Sequence, residues 1–127
     1  MIGGVGIDLV DVARVRSILE RRKERFLSRV YTDGECAYCD RQKEPAIHYA
    51  ARFAAKESCL KALGLGVGRV SWKEIEVVST PSGEPILRLA GKAEEVFREK
   101  RIKNLSLSLS HTRAQAMAVV IAEVAQS

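Results

Sequence analysis

The chain has 127 residues, 46% hydrophobic and 29% charged, with a formal charge of +5. That suffices for one core and leaves little for a second, so residues 1–127 are expected to form a single domain. No apolar run nears the roughly 20 residues of a membrane span, and MIGGVGIDLV has no basic segment ahead of a long apolar one. Three cysteines, an odd number, argue against a secreted disulfide framework. A cytoplasmic protein with an acidic partner is expected; nucleic acid, a phosphorylated small molecule and an acidic protein all remain open.

In chain order, IGGVGIDL at 2–9 reads as a strand whose glycines let a backbone or ligand come close. Asp11 then caps a helix of about three turns with Val12, Val15, Ile18 and Leu19 as its apolar stripe, and a second short helix covers Arg25 to Val30. Between Arg14 and Arg29 lie Arg16, Arg21, Arg22, Lys23 and Arg25, so the basicity is local. Thr32-Asp33-Gly34-Glu35 has the form of a capping box and starts another helix. Pro45 and Gly64 delimit a longer, alanine-rich helix. GLGVGR at 64–69 reads as a connector, and WKEIEVVS, TPSGEP and ILRLA as strand, turn and strand. A helix from Gly91 to Arg101 follows, then LSLSLSHT and AMAVVIAEV as two strands joined at Arg113, Ala114 and Gln115. The order predicts an α+β fold, a mainly antiparallel sheet packed with a long helix. Alternation turns Leu105, Leu107 and Leu109 to the core and Ser106, Ser108 and Ser110 away, a face suited to another subunit because the next strand is apolar on both sides.

The chemistry concentrates in a few residues. Glu57 and Lys61 stack four apart along one face of the long helix, with Lys56 beside Glu57. By themselves they read better as an exposed surface pair, and Asp8 as a cap or turn former. Together, two carboxylates from a strand end and a helix form the sparse oxygen set that holds Mg²⁺ when phosphate oxygens and waters complete the shell. Lys61 would neutralise phosphate charge. Ser110-His111-Thr112 suits phosphate binding better than a nucleophilic triad, for which no carboxylate is near in sequence. His48 reads as packing or surface. Cys36 and Cys39 form a CxxC without a second pair, and Cys59 reads as a core residue.

Three motifs in register carry a resemblance. GIDLVDVARV at 6–15, RFAAKESCLKALG at 52–64 and SLSHT at 108–112 resemble the opening, the lysine helix and the late strand of the small bacterial 4'-phosphopantetheinyl transferases, across nearly the whole chain. The resemblance implies that family's fold and a reaction of fatty acid biosynthesis: transfer of the 4'-phosphopantetheine arm from coenzyme A to a serine of apo acyl carrier protein, releasing 3',5'-ADP. It implies Mg²⁺ held by Asp8 and Glu57, with Lys61 assisting the leaving phosphate. It also implies coenzyme binding by Lys56, Lys61, Gly64, His111 and Thr112, and a homotrimer with active sites between subunits. Arg14, Arg21, Arg25 and Phe26 match the surface that grips acyl carrier protein. Leu65 stands where the family often has threonine, and Val10 where larger relatives carry a third acidic ligand, so water is expected at that metal position. The alternative is a non-catalytic basic module binding nucleic acid, disfavoured by few aromatics and no stacking, zinc or helix-turn-helix motif.

Overall fold

In the computed structural model, which describes residues 1–126, the chain runs β1 (Ile2–Asp11), α1 (Val12–Val30), α2 (Asp33–Asp40), α3 (Pro45–Leu63), a 3-10 turn (Trp72–Glu74), β2 (Ile75–Ser79), β3 (Pro85–Leu89), α4 (Gly91–Glu99), β4 (Ile102–His111) and β5 (Gln115–Val124). The strands form two antiparallel sheets, one ordered β1-β5-β4 and the other the β2-β3 hairpin. This is the α+β class read from the sequence.

The long helix α3 is the axis of the fold. Pro45 stands at its first turn, where a missing N–H costs nothing. Gly64 ends it in the left-handed region at φ 73°. The Gly64 N–H donates to the Lys61 carbonyl at 3.0 Å and the Leu65 N–H to that of Leu60 at 2.8 Å, and both leucines enter the same core cluster. Leu65, partly buried against that cluster, therefore closes the helix.

The sheet approaches α3 backbone to backbone. A Cβ at Gly6 would stand 1.8 Å from the Ser58 carbonyl oxygen, and one at Gly4 2.0 Å from that of Ala62. Only glycine permits that contact, the close approach foreseen for β1. Buried Ala54 and Ala55 keep the helix surface low, and the buried Ser58 Oγ donates to the Ala118 carbonyl of β5 at 3.0 Å. Apolar clusters then fill both ends: Val12, Val15, Tyr31, Tyr49 and Ile47 around its start, and Leu60, Leu63, Ile75, Val96 and Val120 around its end.

Some local expectations change. The two helices expected over 12–30 are present, running on from one another as α1 and separated by a kink at the non-helical Arg22 (φ −144°, ψ 42°). Asp11 occupies the N-cap position of α1, but its side chain makes no cap; Oδ1 accepts from the Gln115 Nε2 at 3.3 Å, across the β1-β5 pair. Trp72–Glu74 is a 3-10 turn and not strand, because the Ser71 N–H donates to the Glu74 carboxylate at 2.9 Å and the Glu74 N–H to the Ser71 carbonyl at 3.0 Å. The box at Thr32 and Glu35 forms as read. Cys36, Cys39 and Cys59 are free thiols. Burial pushes Cys39 and Cys59 up to about 12 and raises Cys36, so the thiol forms dominate.

The outer face of the larger sheet is uncovered in the single chain. Val5, Ile7 and Leu9 of β1 are 54–55% exposed. They pair with Ile121, Val119 and Met117 of β5, which pair in turn with Ser106, Ser108 and Ser110 of β4. The serine stripe thus borders an apolar one.

Candidate active site

Where β1 passes over α3, the glycine contact brings Asp8 against Glu57 and Lys61. The Lys61 ammonium donates to the Ile7 carbonyl at 2.8 Å and lies 3.6 Å from Asp8 Oδ1. Asp8 Oδ2 is buried and has no hydrogen-bond partner among the described residues. Glu57 is half-buried, and its carboxyl is raised above the ordinary 4.5, first by burial and then by the negative charge of Asp8, with Lys61 opposing. Two carboxylates crowded together, one oxygen without a donor, form a site short of positive charge.

The pair opens into a cleft of about 700 Å³ lined also by Asp11, Arg14, Ile18, Phe26, Phe53 and Trp72. One wall is aromatic, with Phe53 centred 5.1 Å from Trp72 and 6.3 Å from Phe26. Arg14 and Phe26 therefore belong to the cleft, while Arg21 and Arg25 are exposed on α1 beyond it.

A divalent cation fits this donor set. It would accept the orphaned Asp8 oxygen and relieve the repulsion that raises Glu57. Among the described residues no group of three or more His, Cys, Asp or Glu side chains is gathered that could hold a metal, so two carboxylates are what the chain offers. Val10, half-buried on β1, adds no ligand.

Other expected site residues lie elsewhere. Lys56 is fully buried and faces away from the cleft: Nζ donates to Glu35 Oε1 at 2.7 Å, to the Trp72 carbonyl at 3.2 Å and to the Ile75 carbonyl at 2.5 Å. All three donors are used and no atom reaches solvent, which corrects the reading of Lys56 as a phosphate contact. Gly64 acts as the α3 cap, where an added Cβ would meet the Lys100 ammonium at 2.7 Å. The Thr112 Oγ1 accepts from the Ala114 and Gln115 N–H groups at 3.2 and 3.1 Å and so shapes the β4-β5 turn.

His111 sits in a second hollow, of about 360 Å³, with Tyr38, His48, Arg52 and Ser79. The two imidazoles are 6.0 Å apart, and His48 is held below its usual range, first by burial and then by Arg52 and His111. Arg52 is 3% exposed, its guanidinium lies 3.9 Å from the Tyr38 ring centre, and its Nε has no partner among the described residues. The motif RFAAKE contains this arginine, but its partners come from α2, α3, β2 and β4, which no local pattern joins. Asp8 lies on β1 and His111 on β4, the two edge strands of the larger sheet.

Comparison with known proteins gives this arrangement a class. Residues 4–120 match the model of the 4'-phosphopantetheinyl transferase superfamily, and the chain belongs to that family. The particular relatives are holo-[acyl-carrier-protein] synthases. The chain is 51% identical over 124 residues to that of Syntrophus aciditrophicus, covering 97% of each chain. It superposes on the crystal structure from Neisseria meningitidis with a TM-score of 0.88 at 31% identity, covering 97% of this chain and 99% of that one. It superposes on the Helicobacter pylori synthase in complex with coenzyme A with a TM-score of 0.83 at 33% identity, covering 94% and 99%. Membership displaces the nucleic-acid module as an alternative.

Proposed function

We propose that this chain is an enzyme that transfers the 4'-phosphopantetheine group from coenzyme A to a serine of apo acyl carrier protein within fatty acid biosynthesis, a reading supported by its superfamily and by relatives named holo-[acyl-carrier-protein] synthase. The observation that carries this reading is the undercompensated Asp8–Glu57 pair with the Lys61 ammonium beside it, on the scaffold shared with a synthase bound to coenzyme A.

In the reaction the serine Oγ bonds to the phosphorus that carries pantetheine, and the bond from that phosphorus to the bridging oxygen of 3',5'-ADP breaks. Glu57, a carboxylate at the reacting centre with two acceptor oxygens, receives the serine proton. The Lys61 ammonium meets the charge that builds on the departing phosphate. Mg²⁺, held by Asp8 and Glu57, would supply Lewis-acid neutralisation of the pyrophosphate. Phe26, Phe53 and Trp72 give the cleft an apolar wall beside the reacting groups.

Assembly completes the reading. Coenzyme phosphates suit the His111 hollow, where Arg52 and two imidazoles converge. Yet Asp8 and His111 occupy opposite sheet edges, so one ligand meets both if the His111 edge of a neighbouring subunit closes on the Asp8 edge. A homotrimer, covering the apolar face of Val5, Ile7, Leu9, Val119 and Ile121, does this with one interface repeated three times. Arg14 at the cleft with Arg21 and Arg25 outside it forms the approach for the acidic carrier protein. No helix among the described residues is long and apolar enough to cross a membrane, and a cytoplasmic site of action suits both substrates.

The test is the mass of purified apo acyl carrier protein after incubation with the chain, coenzyme A and Mg²⁺. A gain of one phosphopantetheine group, abolished by EDTA, is expected. No gain with a folded enzyme and several carrier proteins overturns the reading.

A further inference from the structure

Lys56 immediately precedes Glu57 and makes no contact with the cleft, yet its ammonium is the best-satisfied cation of α3. It reaches the carbonyls of Trp72 and Ile75, which bracket the 3-10 turn at its first residue and just past its last. Its counter-ion, Glu35, is equally buried and is itself fixed: Oε1 accepts from the Thr32 N–H at 3.0 Å and Oε2 from the Val77 N–H at 2.8 Å. One ion pair therefore ties α2, α3, the turn and β2 together. The turn carries Trp72, whose ring packs on Phe53 and lines the cleft. The same turn places Glu74, whose carboxylate accepts from the N–H groups of Lys92 and Ala93 at the start of α4. Between its two ends the turn is bonded within itself and to α4, and Lys56 is its hydrogen-bonded tie to the helix that bears Glu57, beside the packing of Trp72 on Phe53.

We infer that Glu35 and Lys56 are positioning residues for the transfer: their buried pair clamps the Trp72–Glu74 turn to α3 and so sets Trp72 as a wall of the Asp8–Glu57 cleft. The inference rests on the reading of that cleft as the coenzyme site. A lysine that touched phosphate would act through its charge at the ligand. Lys56 acts through the place of an indole, so its loss shows first as poorer seating of coenzyme A.

The chain has a single tryptophan, which makes the position of Trp72 directly observable. The experiment compares Lys56→Met, Glu35→Gln, Trp72→Leu and the Lys56→Met/Trp72→Leu double variant of the full chain, with circular dichroism as the check of folding. In the ligand-free protein, Lys56→Met is expected to raise acrylamide quenching of Trp72 about twofold, and Glu35→Gln in the same direction; should Lys56→Met fail to fold, Glu35→Gln decides. In transfer assays Lys56→Met and Trp72→Leu are each expected to raise the KM for coenzyme A roughly tenfold while kcat changes less than about threefold, and the double variant to be no worse than the worse single one. Unchanged quenching in folded variants, or single effects that multiply in the double, overturns the inference. The quenching arm needs neither coenzyme nor carrier protein, so a clamp that fails is told apart from a cleft that does not catalyse transfer.

Discussion

The two sides of α3 treat the same chemistry in opposite ways. Lys56 and Lys61, five residues apart, each stand beside a carboxylate. On the inner side, Lys56 and Glu35 meet at 2.7 Å with neither side chain exposed, and the ammonium has every donor filled. On the cleft side, Lys61 and Asp8 are 3.6 Å apart, the lysine side chain is 53% exposed, and one Asp8 oxygen lacks a donor. A closed pair has nothing left to offer a ligand and everything to lose by breaking. An open pair stabilises the fold little and retains unsatisfied atoms that a cation and a phosphate can complete. On the proposed function, catalysis resides in the interaction that folding leaves unfinished.

Substitutions can break this comparison, and the largest effect belongs to the open side. Asp8→Ala or Glu57→Gln should slow transfer by about 10³-fold or more, the loss of several kcal/mol of charge stabilisation, while leaving the fold intact. Single-turnover rates on apo acyl carrier protein with urea unfolding of the same samples check both halves. Next comes the closed side. Lys56→Met strands Glu35 in the interior and should cost about 3–5 kcal/mol of unfolding free energy, whereas Lys61→Met should cost no more than about 1 kcal/mol. Equal losses in urea titrations would erase the distinction. Gly6→Ala forces β1 off the Ser58 carbonyl and should cost about 1–3 kcal/mol, with a fall in transfer because Asp8 moves with the strand.

A smaller effect comes from pH. Glu57 binds its proton more tightly in the folded chain than its ordinary 4.5, so the metal-free protein is favoured below that value and loses this contribution as pH rises through the raised pKa. Glu57→Gln removes the loss. Urea midpoints of the metal-free wild type should therefore fall relative to those of the variant between pH 4.5 and neutrality, and parallel profiles would show that Glu57 is not under the strain assigned to it.

Much of this was legible in the sequence, and the rest has definite physical reasons for being hidden. Pro45, Gly64 and the Thr32–Glu35 box mark helix ends because their causes are local. The spacing of four placed Glu57 and Lys61 on one face of α3 and the glycines of β1 pointed to a close approach, while it was the resemblance of the GIDLVDVARV and RFAAKESCLKALG motifs that joined Asp8 to them. Lys56 could not be resolved from Glu57: adjacent helical residues point about 100° apart, and which direction faces the cleft is decided by where the sheet docks. The 3-10 turn was missed although Ser71 and Glu74 have the same spacing as Thr32 and Glu35. Its tryptophan and the isoleucine after it resemble a strand. Arg52, His48 and Tyr38 around His111 were beyond reach because the hollow is assembled from separate elements.

The measurement that meets the central claim most directly is the melting temperature of the wild type and of Asp8→Asn, each with and without saturating Mg²⁺ and coenzyme A. If the open pair is completed by a cation, the wild type gains stability with ligand, about 2.7 kcal/mol at a hundredfold excess over Kd, and Asp8→Asn gains little. An equal gain in both proteins would place the cation elsewhere and contradict the account.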